Sequence, residues 1–302
     1  MEETFARART FIYRNARPLD LARWQVHFEN GPREAVVQAL TAYQNADGGF
    51  GHALEADAWN PNSTPIQTWC ATQVLREIGF DDATHPVVQG ILCYLESGQD
   101  FDGRCWKNTV QSNNDYPHAP WWHAQDAGEP SYNPTASLAG WIIRFAPRSS
   151  ALHALGCRIA CQATDALLSQ EHCDDMHLIA CYITLADDLQ AAGVQIIDVP
   201  ALERHLRKLV SGALTQDTQA WENAYVCKPS QFMRNTKSPF YLGHAALAEY
   251  ERAFIVRTQL EDGSWPVNWG WAAYPEEWAL SRNWWKADII IGNLLYLRGM
   301  AQ

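Results

Sequence analysis

The chain has 302 residues, 47% of them hydrophobic and 19% charged, so it can bury a large core, and with no linker-like stretch a single domain over 1–302 is expected. A formal net charge of −11 with no basic stripe to offset it argues against nucleic acid and anionic membrane as partners. No segment is apolar for long enough to span a bilayer, and the charges scattered through residues 1–17 interrupt the apolar run of a signal peptide.

Helical periodicity runs through 3–15, 20–29, 32–44, 65–78, 85–97, 134–145, 151–169, 174–192, 199–215, 242–258 and 284–298. Ser63-Thr64-Pro65 and Asn133-Pro134 read as a cap followed by proline, and Gly31-Pro32 is a similar entry. No alternating β pattern competes, so the class expected is all-α. The eight cysteines include no CxxC and sit singly, mostly within helical patterns (Cys70, Cys93, Cys157, Cys161, Cys181), as reduced thiols of a cytoplasmic protein would. Four stretches are long and irregular: 51–64, 104–132, 220–239 and 263–283. They are rich in aromatics, histidines and carboxylates, a composition that suits a pocket better than disorder.

One pattern recurs at the ends of helical runs. It reads Gln44-Asn45-Ala46-Asp47-Gly48-Gly49-Phe50, then Gln99-Asp100-Phe101-Asp102-Gly103-Arg104-Cys105-Trp106, then Gln259-Leu260-Glu261-Asp262-Gly263-Ser264-Trp265. Glycine supplies positive φ past the last helical turn, aspartate bonds neighbouring backbone, and the aromatic packs back. The pattern predicts a repeat of helix pairs. These segments resemble the QW-type repeats of the terpenoid cyclase and protein prenyltransferase superfamily. The resemblance implies an α/α toroid of inner and outer helices over about residues 40–300, with the long loops meeting on one rim around a central cavity.

Glu171-His172-Cys173-Asp174-Asp175-Met176-His177 is similar to the Asp-x-Asp-Asp acid motif of class II terpene cyclases, with His172 in place of the first aspartate. That similarity implies Asp174 as the protonating acid, tuned by Asp175 or His177, acting on an isoprenoid whose cation aromatic faces stabilise. The same aspartates also suit the positive end of a helix. A metal site built on Cys173 and His177, four apart on one helix face, lacks a marked partner ligand, which makes zinc a poor expectation. Gly103-Arg104-Cys105-Trp106-Lys107 resembles the Gly-Arg-x-x-Lys stretch with which protein prenyltransferase β-subunits hold a diphosphate, implying an oxyanion role for Arg104 and Lys107. The zinc-binding Asp-x-Cys of that family is absent from Asn108-Thr109-Val110-Gln111-Ser112, so protein farnesylation is disfavoured.

Glu55 and Asp57, after His52, form a carboxylate pair able to act as acid and base or to hold Mg²⁺, and equally able to cap helix ends. His118 lies in a stiff turn between Pro117 and Pro120 with Trp121 and Trp122 beside it. Trp69 and Trp141 fall within helical patterns and are expected in the core, whereas Trp59, Trp121, Trp122, Trp269, Trp271 and Trp285 are expected to pack the rim or line the cavity with His52. The leading expectation is an enzyme that cyclises or isomerises a small hydrophobic, isoprenoid substrate by acid initiation and needs no cofactor. A carbohydrate-active hydrolase or lyase using Glu55 and Asp57, and a non-catalytic toroid that binds a small molecule or protein, are the alternatives. GxSxG, HExxH and Walker-type motifs do not occur.

Overall fold

The computed structural model describes residues 2–125 and 130–301. Among them every regular element is helical, and β pairing is confined to isolated bridges. The chain divides into two compact units, residues 1–39 with 210–302 and residues 40–209. The first holds α1 (Glu2–Asn15), α2 (Pro18–Phe28), nearly all of α3 (Arg33–Leu40), α10 (Ala245–Arg257) and α11 (Pro275–Gly299). The second holds α4 (Pro65–Glu77), α5 (Pro86–Ser97), α6 (Thr135–Phe145), α7 (Ala151–Leu168), α8 (Met176–Ala192) and most of α9 (Val199–Ala213).

The second unit is built around α6, where every residue except Arg144 is buried. A helix apolar all round needs partners on several sides, and α6 packs on α7, α8, α4 and α5. Asp188 of α8 is buried against α6 and binds Arg76 of α4 at 2.5 Å and Arg144 of α6 at 3.3 Å. In the first unit α1 and α2 pack together and on α11. Arg23 ties α2 to α11 through Asp288 at 2.8 Å, and Glu29 accepts from Arg9 at 2.7 Å and from the Trp24 indole at 2.9 Å.

Two copies of the repeated motif share one hydrogen-bond scheme. Gln44 Nε2 donates to its own loop at Gly48 O (2.9 Å) and to Val87 O at the start of α5 (3.2 Å). Gln259 Nε2 donates to Gly263 O and to Thr4 O at the start of α1, both at 2.9 Å. The glutamine thus closes its own turn and pins a neighbouring helix. Asp47 and Asp262 each accept the N–H two residues on, from Gly49 and Ser264, at 2.9 Å. Gly48 has φ of 88°, and a Cβ there would collide with the Gly90 carbonyl of α5, so only glycine meets both the left-handed backbone and the close approach. In the longer middle copy Asp102 still accepts from Arg104 N (2.8 Å) and Cys105 N (2.6 Å), but Gln99 is exposed. Phe50, Trp106 and Trp265 are all buried.

Several boundaries differ from the sequence expectation. The helix expected from 284 begins at Pro275, so residues 275–283 are helix instead of loop. A proline at the first turn followed by Glu276 and Glu277 is a good helix entry, but the polar Arg282-Asn283 interrupts the apolar period used to find it. The helix expected from 174 begins at Met176, which leaves Cys173 outside it, so Cys173 and His177 do not share a helix face. Thr64 caps α4, its side chain accepting from Gln67 N, whereas Asn133-Pro134 is a cis peptide and no side chain caps α6. Trp141 is buried as expected, while Trp69 is half-buried. The expected loop 104–132 contains 126–129, which lie outside the described residues.

Candidate active site in the loop pair 51–64 and 110–124

The first loop turns on two consecutive non-glycine residues in the left-handed region, His52 (φ 60°) and Ala53 (φ 59°). Each costs about 1–2 kcal/mol relative to ordinary backbone, so the surroundings must hold them. The Gln67 side chain does much of this from the first turn of α4. Its Oε1 accepts from Leu54 N at 2.9 Å and its Nε2 donates to Asn60 O at 3.0 Å. His52 N also donates to Asn60 O at 2.9 Å, which closes residues 52–60 into a ring. Within it Glu55 and Asp57 are 6% and 1% exposed, and Glu55 Oε2 accepts from Asp57 N at 2.8 Å.

The second loop is laid against the first by backbone pairing. Ala58 and His118 form an antiparallel bridge, Trp59 N donates to Pro117 O at 2.9 Å, and Ala119 N donates to Asp57 O at 2.8 Å. Asn60 Nδ2 reaches Ser112 Oγ and Asn113 Oδ1 at 2.8 and 2.9 Å, and Asn113 Nδ2 donates onward to Trp122 O at 3.0 Å. A short 3-10 turn over Pro120–Trp122 then brings His123 back onto His118. The two imidazoles meet edge to edge, nearly coplanar at 19° with centroids 5.3 Å apart and His118 Nε2 and His123 Nδ1 3.1 Å apart, while His118 Nδ1 lies 2.6 Å from Tyr116 O. His118 is buried and His123 exposed. Trp121 is 46% exposed, and Trp59 and Trp122 are half-buried. Glu55, Asp57, Trp59, His118 and Trp122 therefore belong to one hydrogen-bonded assembly, and Trp121 stands in its 3-10 turn.

Of the other expected site residues, His52, Arg104 and Asp175 form side-chain hydrogen bonds elsewhere. The exposed His52 ring turns back to the motif loop, where Nε2 meets Asn45 Oδ1 at 2.9 Å. Arg104 and Lys107 are exposed, in a segment tied to the start of α6 by Trp106 N donating to Thr135 Oγ1 at 2.9 Å, and the Arg104 guanidinium is engaged by Tyr132 through Nε to the hydroxyl at 3.1 Å. Asp174 is exposed just before α8, and Asp175 caps that helix, Oδ1 accepting from His177 N at 2.9 Å and Leu178 N at 3.1 Å. His177 reaches solvent, yet the protein crowded around its ring lowers its pKa, against the opposite pull of Asp175.

In the first unit Trp269 meets Tyr225 and Trp285 edge-on, both at 5.2 Å, and the buried Trp271 meets Trp278 at 5.7 Å. Trp285 stands on α11, within the run expected to be helical. Sequence reasoning missed His123 as a site residue and Gln67, Asn60 and Asn113 as the straps that hold the loops. The signal for His123 was Pro120 at the head of a short turn, which folds the chain back on His118. Among the described residues no group of three or more His, Cys, Asp or Glu is placed to hold a metal ion, and no helix is long and apolar enough to cross a membrane. Compared with known proteins, the chain matches no family model, no curated sequence and no solved structure.

Proposed function

We propose that the chain is an α/α-toroid enzyme of the carbohydrate-active kind, cleaving a glycosidic bond at the loop pair. The observation that carries this reading is the backbone pairing that sets Glu55 and Asp57 beside the loop bearing His118, Trp121 and His123. A carboxyl of the pair can supply the proton that the leaving oxygen takes in glycosidic cleavage, and an exposed indole such as Trp121 offers a flat apolar face for a sugar ring. Backbone strain at His52 and Ala53, immediately before the carboxylates, fits a loop shaped for a ligand. The toroid rests on the repeated Gln…Asp-Gly turns. The isoprenoid reading has less support, because an acid that starts a carbocation reaction calls for a desolvated carboxyl, whereas Asp174 is exposed and Asp175 is committed to the end of α8.

The test is product release from a panel of oligosaccharides, followed by chromatography of the free sugars. Wild type should release sugar, and Glu55→Gln or Asp57→Asn should lower kcat by about 10²–10⁴-fold with unchanged circular dichroism. Trp121→Ala should mainly raise KM. Turnover of an isoprenoid diphosphate with no sugar released would replace this reading with the cyclase one.

A further inference from the structure

We infer that His123 is the proton-accepting group of the loop pair and that His118 is its positioning residue. The role in turnover rests on the carbohydrate-active reading, but the tautomer it requires does not.

The argument is one of valence. A backbone carbonyl only accepts, so the 2.6 Å contact between His118 Nδ1 and Tyr116 O places a hydrogen on Nδ1. The 3.1 Å contact between His118 Nε2 and His123 Nδ1 holds one hydrogen between two nitrogens, and we assign it to His123 Nδ1. That leaves the His123 lone pair on Nε2. This residue is exposed and follows Trp121 and Trp122, where a bound sugar ring would lie. The chain from carbonyl to His118 to His123 thus orients an imidazole much as a carboxylate does in a catalytic triad, with a carbonyl dipole in place of the full charge.

The support is rigid on both sides. His118 is bridged to Ala58, Ala119 N is held by Asp57 O at 2.8 Å, and Trp122 O is held by Asn113 at 3.0 Å. Asp57 therefore fixes the histidine loop through its backbone as well as contributing a carboxyl. In hydrolysis the attacking water bonds through oxygen to the anomeric carbon as its proton passes to His123 Nε2. The bond from that carbon to the leaving oxygen breaks, and the leaving oxygen takes a proton from Glu55 or Asp57. His123 then returns its proton to solvent, and the carboxylate is reprotonated.

The test is long-range ¹H–¹⁵N correlation of the imidazoles in ¹⁵N-labelled protein, paired with kinetics. Wild type should show His123 with hydrogen on Nδ1. In His118→Phe, and in His118→Asn, whose amide can still donate to Tyr116 O and keep the loop folded, the hydrogen should move largely to Nε2. His123→Gln should lower kcat by about 10²–10⁴-fold with little change in KM. Finding hydrogen on His123 Nε2 in neutral wild type would overturn the assignment, as would full kcat in His123→Gln of an enzyme active on sugars. If wild type cleaves no sugar, the carbohydrate reading fails and the spectrum still decides the tautomer.

Discussion

Asp188 offers the sharpest test of what holds residues 40–209 together. Its carboxylate is 2% exposed on α8 and receives Arg76 Nη2 at 2.5 Å, Arg76 Nε at 3.2 Å and Arg144 Nη1 at 3.3 Å. Asp188→Asn keeps the shape and removes the charge, so no cavity confuses the result. Taking one partner from a buried ion pair costs about 3–5 kcal/mol, because the other charge stays desolvated. Arg76 retains Ser137 O at 3.0 Å, Thr72 Oγ1 at 2.7 Å and the Trp141 face at 5.0 Å, which favours the lower half of that range. With a urea dependence near 3 kcal/mol per molar, the midpoint should fall by about 1 M. Urea unfolding followed by far-ultraviolet circular dichroism measures this. The double variant Arg76→Met, Asp188→Leu should recover much of the loss, since an apolar pair replaces both charges. A midpoint for Asp188→Asn within about 0.3 M of wild type, near 1 kcal/mol, would refute the reasoning.

Gly48→Ala must adopt φ of 88° and push a methyl into the Gly90 carbonyl, whereas Gly98→Ala, at φ of 71°, meets open space. Thermal unfolding should give about 2–5 kcal/mol of destabilisation for the first and about 1–2 for the second, and equal losses would contradict the close approach. Glu251 is buried on α10, its oxygens receiving Ser230 N at 2.8 Å and Ser230 Oγ at 2.6 Å, and burial raises its pKa above the ordinary 4.5. With the folded pKa raised, the contribution is complete below the unfolded value and is lost as pH rises through the folded one. Wild-type stability relative to Glu251→Gln should therefore decline from pH 4 upward, and a difference that grows with pH would show the sign to be wrong. Gln259→Leu removes the donor to both Thr4 O and Gly263 O, leaving two carbonyls to find water. Hydrogen exchange should quicken at the start of α1 and in the 260–264 turn, and unchanged protection would deny the pinning role.

The all-α class was legible in the sequence because apolar period, proline entries and Asp-Gly turns act over a few residues. The same locality made the aspartate bonds of the motif readable: Asp47 and Asp262 each accept the N–H two residues on, whereas the glutamine bonds that close the turn and pin a neighbouring helix were not foreseen. Boundaries slipped where polar residues broke the period, as at Arg282-Asn283 within α11. The site divided in the same way. Its residue types were visible in the loops, including Glu55, Asp57, His118 and Trp121, because long aromatic loops are unusual. Their pairing was not, since the bond from Ala119 N to Asp57 O joins residues whose separation along the chain no local rule spans. Asp174 shows the converse: the motif carried its chemistry in the sequence, but exposure depends on the packing around α8 and was decided only in three dimensions. His123 became visible for the same reason, because a hydrogen's place on an imidazole is set by the partner of the other nitrogen, and tertiary structure alone supplied that partner.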